Sequence, residues 1–439
     1  METRSPTPAK RIDAFRASLF HFLGDPLDSG EGAYEYFDDG LLVVVDGIVD
    51  AAGDAQRLLP TLPPGATVVD HRGKLIIPGF IDTHVHYPQT DIIAADGEQL
   101  LDWLTRYTYP TERRFADPVH AREVADFFMT ELLRNGTTTA AVFATVHPQS
   151  VDAFFEAAHA RGARMICGKC MMDRHCPDYL RDTPESSYED SHALIERWHG
   201  RDRLLYAVTP RFAPTSTERQ LELAGRLLDE HPGVYLQTHV AENRAEVAWV
   251  KEIFPWSRSY LDVYDRFGLV RERAVYGHCI YLDDVDRARM ASAGAAMSFC
   301  PTSNLFLGSG LFDIDAARAH GVRTGLGTDV GGGTSLSMLH TQAEAYKVVQ
   351  LAGGRLAPLS MLYHATLGGA RSLYLDGQLG NFEPGKEGDF LVVDLAATPL
   401  LARRTEHAAT LAERLFAWTI LGDDRSIAAT YLMGVRQSV

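Results

Sequence analysis

The sequence predicts an α/β protein: a (β/α)8 TIM-like barrel with a small β-sandwich formed from the N- and C-terminal segments. Three observations carry that expectation. Eight short apolar, β-rich runs lie between about residues 74 and 330, most of them separated by a segment with helical periodicity. Four of the eight end in a side chain able to bind a metal. The segments on either side of this stretch read as hairpin-like β material instead.

The runs fall near 75–86, 137–146, 163–172, 204–212, 233–240, 274–280, 295–301 and 323–330. Strands buried on both faces should be continuously apolar rather than alternating, and Leu204-Leu205-Tyr206-Ala207-Val208 is. Between them, Arg122 to Arg134 ends at Asn135-Gly136, and Glu218 to Glu230 stops before the breaker pair Pro232-Gly233. Alternating strand and helix with short connections implies right-handed crossovers and a closed barrel of about 250 residues. An open doubly wound sheet would carry a glycine-rich phosphate loop after its first strand. Asp82-Thr83-His84 occupies that place.

Near the N-terminus, Leu41-Leu42-Val43-Val44-Val45 is followed by the turn signal Asp46-Gly47. Near the C-terminus come Phe390-Leu391-Val392-Val393 and the run from Ile427 to Gly434. The two ends are expected to pair. The division is therefore 1–73 and 381–439 for the two parts of the small sandwich, and 74–380 for the metal-dependent barrel.

Bulk properties narrow the function. With 439 residues and 46% hydrophobic content, the chain can bury a large core without disulfides. A formal net charge of −16 argues against nucleic-acid or anionic-membrane partners, which need a basic patch, and favours a small-molecule substrate. The five cysteines are an odd set, and Met1-Glu2-Thr3-Arg4-Ser5-Pro6 lacks the apolar stretch of a signal peptide. A cytoplasmic protein with reduced thiols is expected. No apolar run approaches the roughly 18 to 20 residues of a membrane span.

The chemistry begins at His84-Val85-His86. Residues two apart on a strand share a face, so both imidazoles project together from the strand's end. Alone, such a pair is commonly inert, because a catalytic zinc needs at least three protein ligands and an open position. Three further runs supply them, leading to His239, His278 and Asp329. In a parallel barrel all these ends lie on one face, where active sites are built. Imidazoles and a carboxylate suit Zn2+ or Fe2+ alike. Either would lower the pKa of a bound water from about 16 towards 7, making a nucleophile for an electrophilic carbon.

Hydrolysis of a C–N bond also needs a proton carrier. Glu242 lies three residues beyond His239 and is expected to face the same site rather than solvent; such groups contribute about 100-fold to 10,000-fold in rate. Cys167-Gly168-Lys169-Cys170 has no second C-x-x-C partner, and is read as a buried third strand. His120, His159 and His231 fall on predicted helices or their ends and are read as surface residues.

Pro78-Gly79-Phe80-Ile81-Asp82-Thr83-His84-Val85-His86, with His239, His278 and Asp329 in that order, resembles the amidohydrolase superfamily. A narrower set resembles its guanine-deaminating members: Tyr87-Pro88-Gln89-Thr90, Gly97-Glu98-Gln99-Leu100-Leu101-Asp102-Trp103-Leu104, Tyr109-Pro110-Thr111-Glu112, Thr209-Pro210-Arg211-Phe212-Ala213-Pro214-Thr215 and Gly327-Thr328-Asp329-Val330-Gly331-Gly332-Gly333. The likeness spans nearly the whole chain.

The resemblance implies one zinc held by His84, His86, His239 and Asp329, with His278 hydrogen-bonded to the water or the intermediate. Two-metal members carry a bridging lysine at the end of the fourth strand, where this chain has Val208-Thr209-Pro210-Arg211. It further implies that Asp329 takes a proton as hydroxide attacks C2 of guanine, and that Glu242 protonates N3 and helps the amine leave. Xanthine and ammonia would result. His86, Gln89, Arg211, Phe212, His239, Glu242 and Asp329 would contact the substrate, Arg211 offering fixed donors to a carbonyl such as O6 and Phe212 a stacking wall. A homodimer is implied as well. One departure stands at Met172-Asp173-Arg174-His175-Cys176-Pro177, where the pattern carries Asn-Ala in place of His175-Cys176.

The competing enzyme reading is a related aminohydrolase or chlorohydrolase acting on a triazine, pterin or adenosine-like ring. A catalytically silent barrel is disfavoured because the five cluster residues and Glu242 are all present. The cytidine-deaminase type needs H-x-E with P-C-x-x-C. Neither element occurs.

Overall fold

The structure is a computed structural model that describes residues 10–96 and 99–439. The expectations placed on residues 1–6, and on Gly97 and Glu98, lie outside the described residues.

Eight parallel strands form the barrel: Phe80–His86, Thr137–Phe143, Arg164–Gly168, Leu204–Pro210, Tyr235–Val240, Ala274–His278, Ala296–Phe299 and Arg323–Leu326. Each pairs with the next in sequence. A short extra strand, Cys170–Met171, adds to the fourth. The last strand meets the first through the residues just beyond its end: the Asp329 amide donates to the His84 carbonyl at 2.8 Å, and the His86 amide to the Val330 carbonyl at 2.8 Å. Every residue of the first and second strands is buried, polar ones included, as strands covered on both faces are.

Local sequence sets the helix limits. Pro118–Arg134 starts behind Asp117, whose side chain accepts from the Val119 amide, with proline in the first turn. Glu218–Glu230 starts behind Thr217, which accepts from the Gln220 amide.

The chain ends meet as expected, in one mixed sheet of seven strands. In spatial order these are Val435–Arg436, Ile427–Leu432, Phe390–Val393, Thr67–Pro78, Ile12–Phe22, Tyr34–Val45 and Ile48–Asp54. The Asp46-Gly47 signal is a two-residue hairpin turn with both residues at positive φ, 51° and 89°.

One boundary differs from the sequence reading. The run at 75–86 is two strands: Leu75 to Pro78 pair with Phe390–Val393 in the terminal sheet, and the barrel strand begins at Phe80. Gly79 makes the change of sheet, and a Cβ there would lie 2.0 Å from Thr138 Oγ1. Both halves are apolar because both are buried, so hydropathy could not separate them. Cys167 and Cys170 are buried free thiols. His159 is exposed, while His120 and His231 are half-buried. Among the described residues, no helix is long and apolar enough to cross a membrane.

Candidate active site

Three strand ends bring four side chains to one point. His84 and His86 come from the first barrel strand, His239 from the fifth, and Asp329 from the residues after the eighth. Their ligand atoms all lie within 4.8 Å of one another. His86 Nε2 stands 3.3 Å from His84 Nε2 and 3.1 Å from His239 Nε2, and Asp329 Oδ1 is 3.2 and 3.4 Å from the His84 and His86 Nε2 atoms. Tetrahedral zinc, with Zn–N bonds of about 2.0–2.1 Å, sets its ligand nitrogens about 3.3 Å apart. The donor set therefore fits a divalent cation of that size.

Electrostatics agree with the geometry. Burial pushes the His86 imidazole down to about 3 and that of His239 well below its ordinary value, so both are neutral and free to ligate. Burial alone would raise Asp329, but the His84 and His86 imidazoles facing it hold the carboxyl well below the usual range. His239 Nδ1 is fixed by the Arg211 carbonyl at 2.7 Å, which leaves Nε2 as the lone-pair donor. The corresponding Nδ1 atoms of His84 and His86 have no partner among the described residues.

His278, at the end of the sixth strand, lies beside this cluster. Its Nδ1 meets Asn304 Oδ1 at 2.8 Å, while Nε2 faces Glu242 Oε2 at 3.3 Å and Asp329 Oδ2 at 3.6 Å. Glu242 is 2% exposed, so it is not a solvated loop carboxylate. Burial, reinforced by the Asp329 charge, pushes it up to about 8, against the Ser309 hydroxyl that donates to Oε1 at 2.9 Å. A carboxyl so placed can hold or release a proton near neutral pH.

A cavity of about 400 Å³, counting its open mouth, sits over these groups. Its apolar wall is Leu100, Trp103, Leu104, Phe212 and Leu307; Gln89 and Arg211 supply polar groups. The expected residues His86, Gln89, Arg211, Phe212, His239, Glu242, His278 and Asp329 all line it. His84 lies behind His86, fully buried. His175 and Cys176 do not line the cavity. His175 packs its ring on Trp249, centroids 5.2 Å apart, and Trp249 in turn packs on Phe212 at 6.3 Å.

Several participants had no role in the sequence reading. Trp103 and Leu104, quoted there only within a motif, wall the cavity with Leu307; Ser309 and Asn304 orient Glu242 and His278; and Glu112, likewise quoted only within a motif, binds Arg211. Glu246 accepts from the Glu242 amide at 2.9 Å and the Asn243 amide at 3.1 Å, which anchors the loop carrying Glu242. A signal for it existed: Asn243-Arg244-Ala245-Glu246 is a capping box, and both of its bonds form.

A parallel barrel whose strand ends converge three imidazoles and a carboxylate under a small cavity is the architecture of metal-dependent barrel hydrolases. The chain belongs to the amidohydrolase family, whose model matches residues 75–436. It is 52% identical over 402 residues to the guanine deaminase of Escherichia coli (strain K12), covering 92% of each chain. The solved structure of E. coli guanine deaminase superposes with a TM-score of 0.95 at 50% identity, over 97% of this chain and 99% of that one. The C. acetobutylicum guanine deaminase with guanine bound in its active site gives a TM-score of 0.87 at 29% identity, over 97% and 100%.

Proposed function

We propose that this chain hydrolyses guanine to xanthine and ammonia, using one zinc ion per chain held by His84, His86, His239 and Asp329. The single observation that carries the reading is the placement of the Glu242 and Asp329 carboxyl groups against His278 Nε2, at 3.3 and 3.6 Å, beneath an apolar-walled cavity. High identity to guanine deaminases along almost the whole chain supports the substrate.

When bound, the metal supplies Lewis-acid chemistry that makes water a nucleophile at neutral pH. The chain's own residues do the rest. Phe212 and Trp103 confine the ring between apolar faces and exclude bulk water. Arg211 and Gln89 donate to the carbonyl side of the purine, which orients C2 towards the cluster. Glu242, protonated, donates to N3 as oxygen adds at C2. Asp329 accepts the proton that the attacking water gives up, and His278 steadies the charge that develops between the two carboxyl groups. A proton then passes to the 2-amino group, the C2–N bond breaks, and ammonia leaves.

The test is ammonia release from guanine beside adenine, cytosine, guanosine and a triazine. Rapid release from guanine alone supports the reading. Preferred turnover of another ring would keep the metal chemistry and overturn the substrate assignment.

A further inference from the structure

We propose that Glu112 is a positioning residue that makes the polar wall of the cavity donate hydrogen bonds only, so that it selects purines with an oxo group at C6 and rejects those with an amino group there. The inference rests on the assignment of Gln89 and Arg211 to the substrate wall.

Glu112 is 1% exposed and ends the four-residue helix Tyr109–Glu112, behind the residues that line the cavity and in contact with Arg211. Arg211 Nη1 donates to both of its carboxylate oxygens, at 2.9 and 2.8 Å. Burial works against the Arg211 charge, and the Glu112 carboxylate more than offsets it, holding the guanidinium above its ordinary value. Gln89 Nε2 donates to Glu112 Oε1 at 3.1 Å, while Gln89 Oε1 accepts from the Gly331 amide at 3.1 Å.

These contacts fix the Gln89 amide in one sense. Its carbonyl faces a backbone donor and its NH2 faces an acceptor, so turning it over would oppose like to like at both ends. One Nε2 hydrogen goes to Glu112, and the second remains. Arg211 Nη2 makes no hydrogen bond among the described residues, and a guanidinium can only donate. Gln89 and Arg211 therefore present donors without an acceptor. An oxo group on the ring satisfies them, whereas an amino group meets donor with donor and leaves buried polar groups unpaired, a mismatch that can reach factors of about 10,000.

The test compares hypoxanthine with adenine as binding probes, measured by calorimetry on metal-loaded wild type and Glu112→Gln, together with KM and kcat for guanine. Wild type should prefer hypoxanthine. In E112Q that preference should shrink by about tenfold or more, and KM for guanine should rise by more than kcat falls, with metal content unchanged. A glutamine can donate as well as accept, so it permits the Gln89 amide to turn. If E112Q does not fold, Glu112→Asp keeps the charge but cannot reach both partners, and should give a preference between the two. An unchanged hypoxanthine preference in a folded variant overturns the proposal. Loss of that preference in E112Q, together with a metal-loaded wild type that does not turn over guanine, keeps the positioning role and overturns the guanine reading instead.

Discussion

Asp329 donates its backbone amide to the carbonyl of His84 at 2.8 Å, so the residue that ends the barrel is fastened directly to the strand that begins it. The carboxylate and the imidazole are brought together by the same contact that closes the fold. Asp82 reinforces it, accepting from the His84 amide at 3.1 Å, from the Thr328 amide at 3.0 Å and from the Thr328 hydroxyl.

Asp82→Ala should therefore weaken the fold and the site together. Three buried donors lose their acceptor at a cost of about 1–3 kcal/mol each when unsatisfied, giving an expected loss of about 3–9 kcal/mol. Metal affinity should fall by about 10–100-fold, as for other groups that orient ligands. Denaturant unfolding and metal titration of the variant measure both, and unchanged metal affinity would show that Asp82 serves stability alone.

Gly277→Ala tests the packing under the cluster. A Cβ at this position would lie 2.6 Å from His84 Cε1, and would push the imidazole out of line. The variant should lose metal while its stability drops by only about 1–3 kcal/mol, the usual cost of overpacking. Full zinc content after dialysis would contradict this account of His84.

Glu242→Gln and His239→Ala separate proton transfer from ligation. The first should keep its metal and lose turnover by about 100-fold to 10,000-fold, because the shape survives and the proton does not. The second should lose metal and activity together. Near-normal activity in E242Q, or a metal-replete H239A, would remove that residue from its assigned role.

The pH dependence follows from the Glu242 shift. Its folded value, about 8, lies above the ordinary 4.5, so the proton-donating form is complete at low pH and is lost as pH rises through the folded value. A nearby cation opposes the shift, so the alkaline limb of kcat should fall between those two values. A kcat that keeps rising through about pH 8 would contradict donation by Glu242.

The sequence exposes what is periodic or local. His84 and His86 stand out because ligands two apart on a strand share a face, and His239, His278 and Asp329 because each closes an apolar run. Glu112 and Arg211 each fall within a quoted motif, but nothing local marks them as partners, since they lie 99 residues apart. The same holds for Ser309, which reaches Glu242 across 67 residues. The 75–86 run misleads for a different reason: two sheets bury adjacent segments, and only the packing of Gly79 against Thr138 separates them.

The measurement that bears most directly on the account is a zinc titration of chelator-stripped protein during conversion of guanine to xanthine. Activity should be absent without metal, rise linearly with added zinc, and level off at one equivalent per chain. Full activity in the stripped protein, or a plateau only at two equivalents, would contradict a single ion held by His84, His86, His239 and Asp329.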